Sequence, residues 1–141
     1  MCRGSNMKEK TWEARKENIP EVTDFIDREL EALDCSMKTQ AQIDMAVDEV
    51  FVNIAMYAYA SGTGNAAVRF EANPETRVVS ITFRDQGMPF NPLEQPEPDI
   101  TAGIEERPIG GLGIFLVRKT MDDISYVREN GFNVLTIRKK I

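Results

Sequence analysis

The 141-residue chain contains no histidine. That absence excludes Ser-His-Asp and Cys-His nucleophilic chemistry, imidazole-ligated metals, and any phosphoryl group carried on a histidine of this chain. Cysteine is scarce as well. Cys2 and Cys35 are the only two, and they form no C-x-x-C pair, so neither a disulfide framework nor a zinc site is expected. A reducing cytosol is the simplest setting. No apolar run approaches the ~20 residues of a membrane-spanning helix, so no membrane association is expected. Cations are in the minority: 17 Lys and Arg stand against 23 Asp and Glu, for a net charge of -6. This argues against direct nucleic-acid binding, because phosphate contacts need clustered Lys and Arg. A basic partner surface stays open. Catalysis, if present, must run on carboxylates, amides, backbone groups and an oxygen-loving metal such as Mg²⁺.

What is present is the balance of a globular domain, 42% hydrophobic and 28% charged, with a length that fits a single domain. Residues 1–7 lack the apolar core of a signal peptide and read as a disordered leader, with Met7 as the native start; the domain proper is expected over 8–141. A weak strand is expected over 10–14, around Trp12. Val22, Phe25, Ile26, Leu30 and Leu33 are spaced for a one-sided helix over 20–33, and Ile43, Ala46, Val47, Val50, Ile54 and Tyr57 for a stronger one over 39–59. Two alternating runs, 67–72 and 78–84, flank a turn at Asn73-Pro74-Glu75. From 86 to 111 periodicity disappears and prolines accumulate, which predicts a long binding loop or lid. A helix over 112–121 follows, then strands over 124–129 and 132–139 joined at Asn130-Gly131, a strong hairpin signal. The expected fold class is α+β, a two-layer sandwich of a mixed, mainly antiparallel sheet with helices on one face.

Three clusters could carry chemistry. In Asp48-Glu49-Val50-Phe51-Val52-Asn53, Glu49 and Asn53 are stacked about one helical turn apart, at the edge of the apolar stripe. A carboxylate and an amide so placed could hold a hard cation and leave a carboxylate oxygen as a base; a solvated helix face carries the same pair. In Asp85-Gln86-Gly87-Met88-Pro89, an aspartate at a strand end could accept a hydrogen bond from an exocyclic amine such as adenine's. Gly87, without a Cβ, would let a flat ring approach; a plain turn uses the same residues. Gly110-Gly111-Leu112-Gly113 opens a helix, where freed backbone amides suit phosphate oxygens, although flexible punctuation looks alike. The ordered set is more specific than any member.

That set resembles the GHKL ATPase superfamily with its Bergerat ATP-binding fold and, more narrowly, the bacterial anti-sigma factor serine kinases. Residues 48–53 match the family's N box, 85–92 its first glycine box with the Pro-Phe continuation typical of the kinases, and 111–118 through Met121-Asp122 its second. The resemblance implies ATP and Mg²⁺ as cofactors. It implies Asn53 as the Mg²⁺ ligand, Glu49 as general base, and Asp85 with Gly87 at the adenine. Backbone groups of Gly111, Leu112 and Gly113 would meet the phosphates, and 91–110 would form the lid. It further implies a serine-kinase activity on an anti-sigma factor antagonist and a sigma factor as the sequestered partner. It also implies a homodimer contact near helix 20–33, whose stripe reads equally as ordinary core. Three positions depart from the pattern: Tyr57 stands where histidine is common, Asn133 where a threonine often faces the nucleotide, and Glu21 where a partner-facing arginine falls. A nucleotide-dependent protein-binding switch without transfer is the alternative. A histidine-kinase catalytic domain shares the same boxes.

Overall fold

The computed structural model describes residues 6–59, 64–94 and 111–141. Period-two alternation builds the sheet. In β2 (Asn65–Asn73) and β3 (Val78–Asp85) every second residue is buried, so Val68, Phe70, Ile81 and Phe83 share one face. β1 (Asn6–Glu13), β4 (Asp123–Glu129) and β5 (Phe132–Lys140) complete one sheet in the order β1-β2-β3-β5-β4. All four pairings are antiparallel. Its apolar face is covered by α1 (Ile19–Ala32), α2 (Met37–Asn53) and α3 (Gly111–Thr120). This is the α+β sandwich expected from the pattern.

Helix boundaries follow local chemistry. α1 has Pro20 in its first turn and buries Val22, Ile26 and Leu30, one per turn. α2 is capped by Ser36, whose hydroxyl accepts from the Thr39 backbone N–H at 3.2 Å. Its inner stripe of Ile43, Ala46, Val47, Val50 and Phe51 is buried. Phe51, Phe70 and Phe83 are fully enclosed between helix and sheet, each burial worth about 2–3 kcal/mol. Asn130 and Gly131 take φ of 54° and 83°, the left-handed pair a two-residue hairpin turn requires. At the other hairpin, Asn73 Oδ1 accepts from the backbone N–H groups of Glu75 and Thr76 at 2.9 and 3.2 Å.

Three elements differ from expectation. β1 starts at Asn6, so Asn6 and Met7, assigned to the leader, pair with Ala72 and Glu71 of β2. Ladder bonds are backbone bonds and do not wait for apolar alternation. The regular part of the helix expected to reach Tyr59 ends at Asn53, and Ile54–Ala58 winds as a π-helical turn. Terminal helix carbonyls lack partners within the helix; here the Ala58 carbonyl accepts from Met88 N–H at 2.9 Å. The long loop opens with a 3-10 turn at Pro92–Glu94; residues 95–110 of the expected lid lie outside the described residues.

Candidate functional site

Asp85 is the last residue of β3. Directly across from it on β5 is Asn133, and across from Asn133 on β4 is Arg128. Antiparallel neighbours stand ~5 Å apart, so three polar residues distant in sequence become one row. Asp85 and Asn133 are each only 4% exposed. Arg128 lies largely in solvent, with its guanidinium turned inward.

Hydrogen bonds bind this row to the turn that follows β3. Asn133 Nδ2 donates to Asp85 Oδ1 and to the Met88 carbonyl, both at 2.9 Å. Gly87 N–H donates to the same Asp85 Oδ1 at 2.9 Å. Asn133 Oδ1 accepts from the Tyr126 hydroxyl, from Arg128 Nη1 at 3.2 Å and from Phe90 N–H at 3.4 Å. Arg128 Nη1 also donates to the Gly87 carbonyl at 2.8 Å. Tyr59 ties the turn to β2: its hydroxyl accepts from Gln86 N–H at 2.9 Å and donates to the Asn65 carbonyl at 2.8 Å. Burial raises the Asp85 carboxyl above its ordinary value, while donors from Asn133 and Gly87 and the charge of Arg128 oppose that rise. The outcome is a shielded acceptor.

Packing within the chain itself requires a glycine at position 87. A Cβ there would lie 2.3 Å from the Ala58 carbonyl oxygen, so its bareness lets the turn dock against the end of the α2 segment.

Asn53, at the C-terminal end of α2, is 4% exposed and faces the same space. Its Nδ2 donates to the Glu49 carbonyl one turn earlier, at 2.7 Å, which turns the amide nitrogen back onto the helix. Glu49 itself is half-buried; burial first, then the charge of Asp48, pushes its carboxyl up. Between α2 and the sheet is a narrow cleft whose lining includes Asn53, Ala58, Asp85, Phe90, Tyr126 and Asn133.

Asn53, Asp85 and Asn133 are therefore together, with Glu49 one turn away on α2. Gly111, Leu112 and Gly113 form the first turn of α3, which packs against α2. Tyr57 stacks at 5.3 Å against Phe90, the aromatic of the Pro-Phe continuation. Glu21 accepts from Trp12 Nε1 at 3.3 Å. Sequence reasoning missed Arg128, Tyr126 and Tyr59. The first two sit two apart on a strand whose alternation runs Ile124, Tyr126, Arg128, a signal that pointed them to the helix side. Among the described residues no group of three or more His, Cys, Asp or Glu side chains is arranged to hold a metal ion, and no helix is long and apolar enough to cross a membrane.

This combination, an antiparallel sheet under helices with a buried carboxylate and a helix-borne amide in one cleft, is that of a GHKL-type ATPase domain. Residues 12–139 match the histidine kinase-like ATPase domain, and the chain belongs to that family. It is 28% identical over 102 residues to the serine/threonine-protein kinase BtrW of Bordetella bronchiseptica, covering 72% of this chain and 71% of that protein. To the serine-protein kinases RsbW of Bacillus cereus and Bacillus thuringiensis it is 29% identical over 93 residues, 64% of this chain. The match spans 58% of the length of each of those RsbW proteins.

Proposed function

We propose that the protein is an ATP-dependent serine-protein kinase that phosphorylates a serine of an anti-sigma factor antagonist and sequesters a sigma factor. The observation that carries this reading is the convergence of Asn53, Asp85 and Asn133 on one cleft, beside a half-buried Glu49, in a chain similar to serine-protein kinases. Asp85 accepts from the adenine amine through Oδ2, since both hydrogen bonds that described residues give it go to Oδ1. The turn at Gly87 passes beneath the base. Backbone N–H groups of Gly111, Leu112 and Gly113, at the positive end of α3, receive phosphate oxygens.

The residues fit Mg²⁺ bound with a nucleotide: Asn53 Oδ1 is a hard oxygen, and this ion normally takes only one or two protein ligands beside phosphates and waters. When bound, Mg²⁺ supplies neutralisation of the phosphate charge. Glu49 accepts the serine hydroxyl proton as the serine Oγ bonds to the γ-phosphorus. The bond from that phosphorus to the β,γ-bridging oxygen breaks, and its electron pair leaves on ADP. A carboxyl raised by burial is a stronger base than a solvated one, which suits Glu49 to the task. Phosphoryl transfer asks mainly for positioning and charge stabilisation, so a histidine-free site suffices. The phosphate added to the antagonist's serine then disfavours its docking by charge and desolvation.

Glu49→Gln should lower phosphate transfer to an acceptor serine at least about 100-fold, measured with labelled ATP, while calorimetry shows ATP affinity essentially kept. Full transfer by this variant rules out Glu49 as base. ATP binding and nucleotide-sensitive partner binding without any transfer by the unaltered protein would select the switch reading instead.

A further inference from the structure

The geometry points to Arg128 as a positioning residue for base recognition: it locks the turn 85–88 so that Asp85 meets a purine's exocyclic amine through one defined oxygen. This rests on the ATP-binding reading above and adds to it a residue outside the matched motifs.

Arg128 stands on the edge strand, yet it reaches the turn by the shortest lateral route, across Asn133 to Asp85 along one row of the sheet. Its Nη1 holds the Gly87 carbonyl while Gly87's own N–H is held by Asp85. One residue is thus gripped at both backbone ends. Met88 is gripped likewise, its N–H by the Ala58 carbonyl and its carbonyl by Asn133. Two successive residues of the turn therefore have both peptide groups engaged, which leaves the Asp85 carboxylate little freedom to rotate.

Arg128 also helps decide which way Asn133 faces. A guanidinium has donors and no acceptor, so it keeps the Asn133 oxygen, rather than its NH₂, on the Arg128 side. The Tyr126 hydroxyl, the other side-chain partner of that oxygen, could serve either arrangement. With the oxygen so placed, the NH₂ faces Asp85 and occupies Oδ1. A reversed amide would set oxygen against oxygen in a buried place. The charge of Arg128 acts in the same direction, since it favours ionised Asp85 against the rise that burial imposes. Among the described residues, the charged or titratable groups around this carboxylate are Arg128 and Tyr126 from β4 and Tyr59 from the chain after α2.

The experiment compares ATP with purine riboside triphosphate, which differs only in lacking the 6-amine, by calorimetry on the full chain. In Arg128→Met, ATP should bind about fivefold more weakly, the size of one charge-assisted hydrogen bond at a solvent-facing edge. Purine riboside triphosphate should hold its affinity, so the preference for the amine falls by that same factor. The pH below which ATP binding is lost should move upward, as Asp85 takes a proton more readily. Arg128→Lys, which keeps the charge but loses the planar donor fork, should recover part of the preference; it also serves as the readout if the Met variant does not fold. Equal weakening of both nucleotides, or no change in either variant, overturns the inference. A parent protein that binds neither nucleotide overturns the functional reading itself, and one that binds both equally removes the Asp85–amine contact on which Arg128 would act.

Discussion

On the sheet side of α2, Asp85 is enclosed by donors: an asparagine amide, a backbone N–H and a nearby guanidinium. On the α1 side of the same helix, Asp44 looks across at Asp27, with Asp48 and Glu31 close by. Gln40 bridges Asp27 and Glu31 at 3.0 and 3.3 Å, and Thr23 donates to Asp48 at 2.7 Å. Asp44 Oδ1 is buried with no hydrogen-bond partner among the described residues. Burial, a hydrogen bond with Asp27 and the charges of Asp27, Asp48 and Glu31 push the Asp44 carboxyl up to about 8. Two carboxyls share a hydrogen bond only when one of them carries a proton. The two regions show that burial alone does not make a carboxylate useful. Where donors surround it, they oppose the rise that burial imposes; where carboxylates surround it, they add to that rise and make the contact between helices sensitive to pH.

The contrast can be broken in three places. The largest effect is expected at Asp85→Asn, which preserves shape but exchanges an acceptor for a donor where the amine would sit. ATP affinity should fall about 100-fold, near the upper end for a hydrogen bond to a charged group, with folding retained by circular dichroism. Undiminished binding would mean that the enclosed carboxylate does not read the base. Next comes Gly87→Ala. With a Cβ 2.3 Å from the Ala58 carbonyl oxygen, overpacking should cost about 2 kcal/mol in thermal or urea unfolding. A neutral result would show that the turn is not wedged against the α2 segment.

The smallest effect belongs to the acidic seam, and its sign is set by linkage. The folded carboxyl of Asp44 binds its proton more tightly than the unfolded one, with about 8 against the ordinary 3.8. Its contribution is therefore fully present below about pH 4 and is lost as pH rises through about 8. Because Asp44 is only partly buried, screening should leave about 1 kcal/mol of this. Asp44→Asn, which can donate to Asp27 at any pH, should be more stable than the parent by that amount at alkaline pH and equal to it at pH 4. Parallel stability curves for the two proteins across that range would dismiss the shared proton.

Much of the framework was legible because it depends on neighbours along the chain. The i, i+4 pair Glu49 and Asn53 required only helical spacing, and the Asn130-Gly131 turn required only the two residue types that accept positive φ. The strand endings were read to within a few residues. For Arg128 the alternation with Ile124 and Tyr126 gave only its face, since an arginine on an edge strand otherwise looks like any solvated charge. Asn133, expected at the nucleotide, lines the cleft, and what sequence did not show is that its amide nitrogen donates to Asp85 and Met88. The π-helical turn after Asn53 was hidden as well: it is coupled to Met88, thirty residues on, which takes the carbonyl that the helix leaves open.

The residues alone determined which chemistries were available. A chain without histidine and with few cysteines leaves its chemistry to carboxylates, amides, hydroxyls and backbone N–H groups. Tertiary structure decided which of these groups act together and in what charge state. Sheet register set Arg128, Asn133 and Asp85 in one row, and the packing of α1 on α2 brought Asp44 within reach of the charges of Asp27 and Glu31. Spacing along a chain is a local property, whereas the donors around a buried charge come from whatever strands the fold lays beside it.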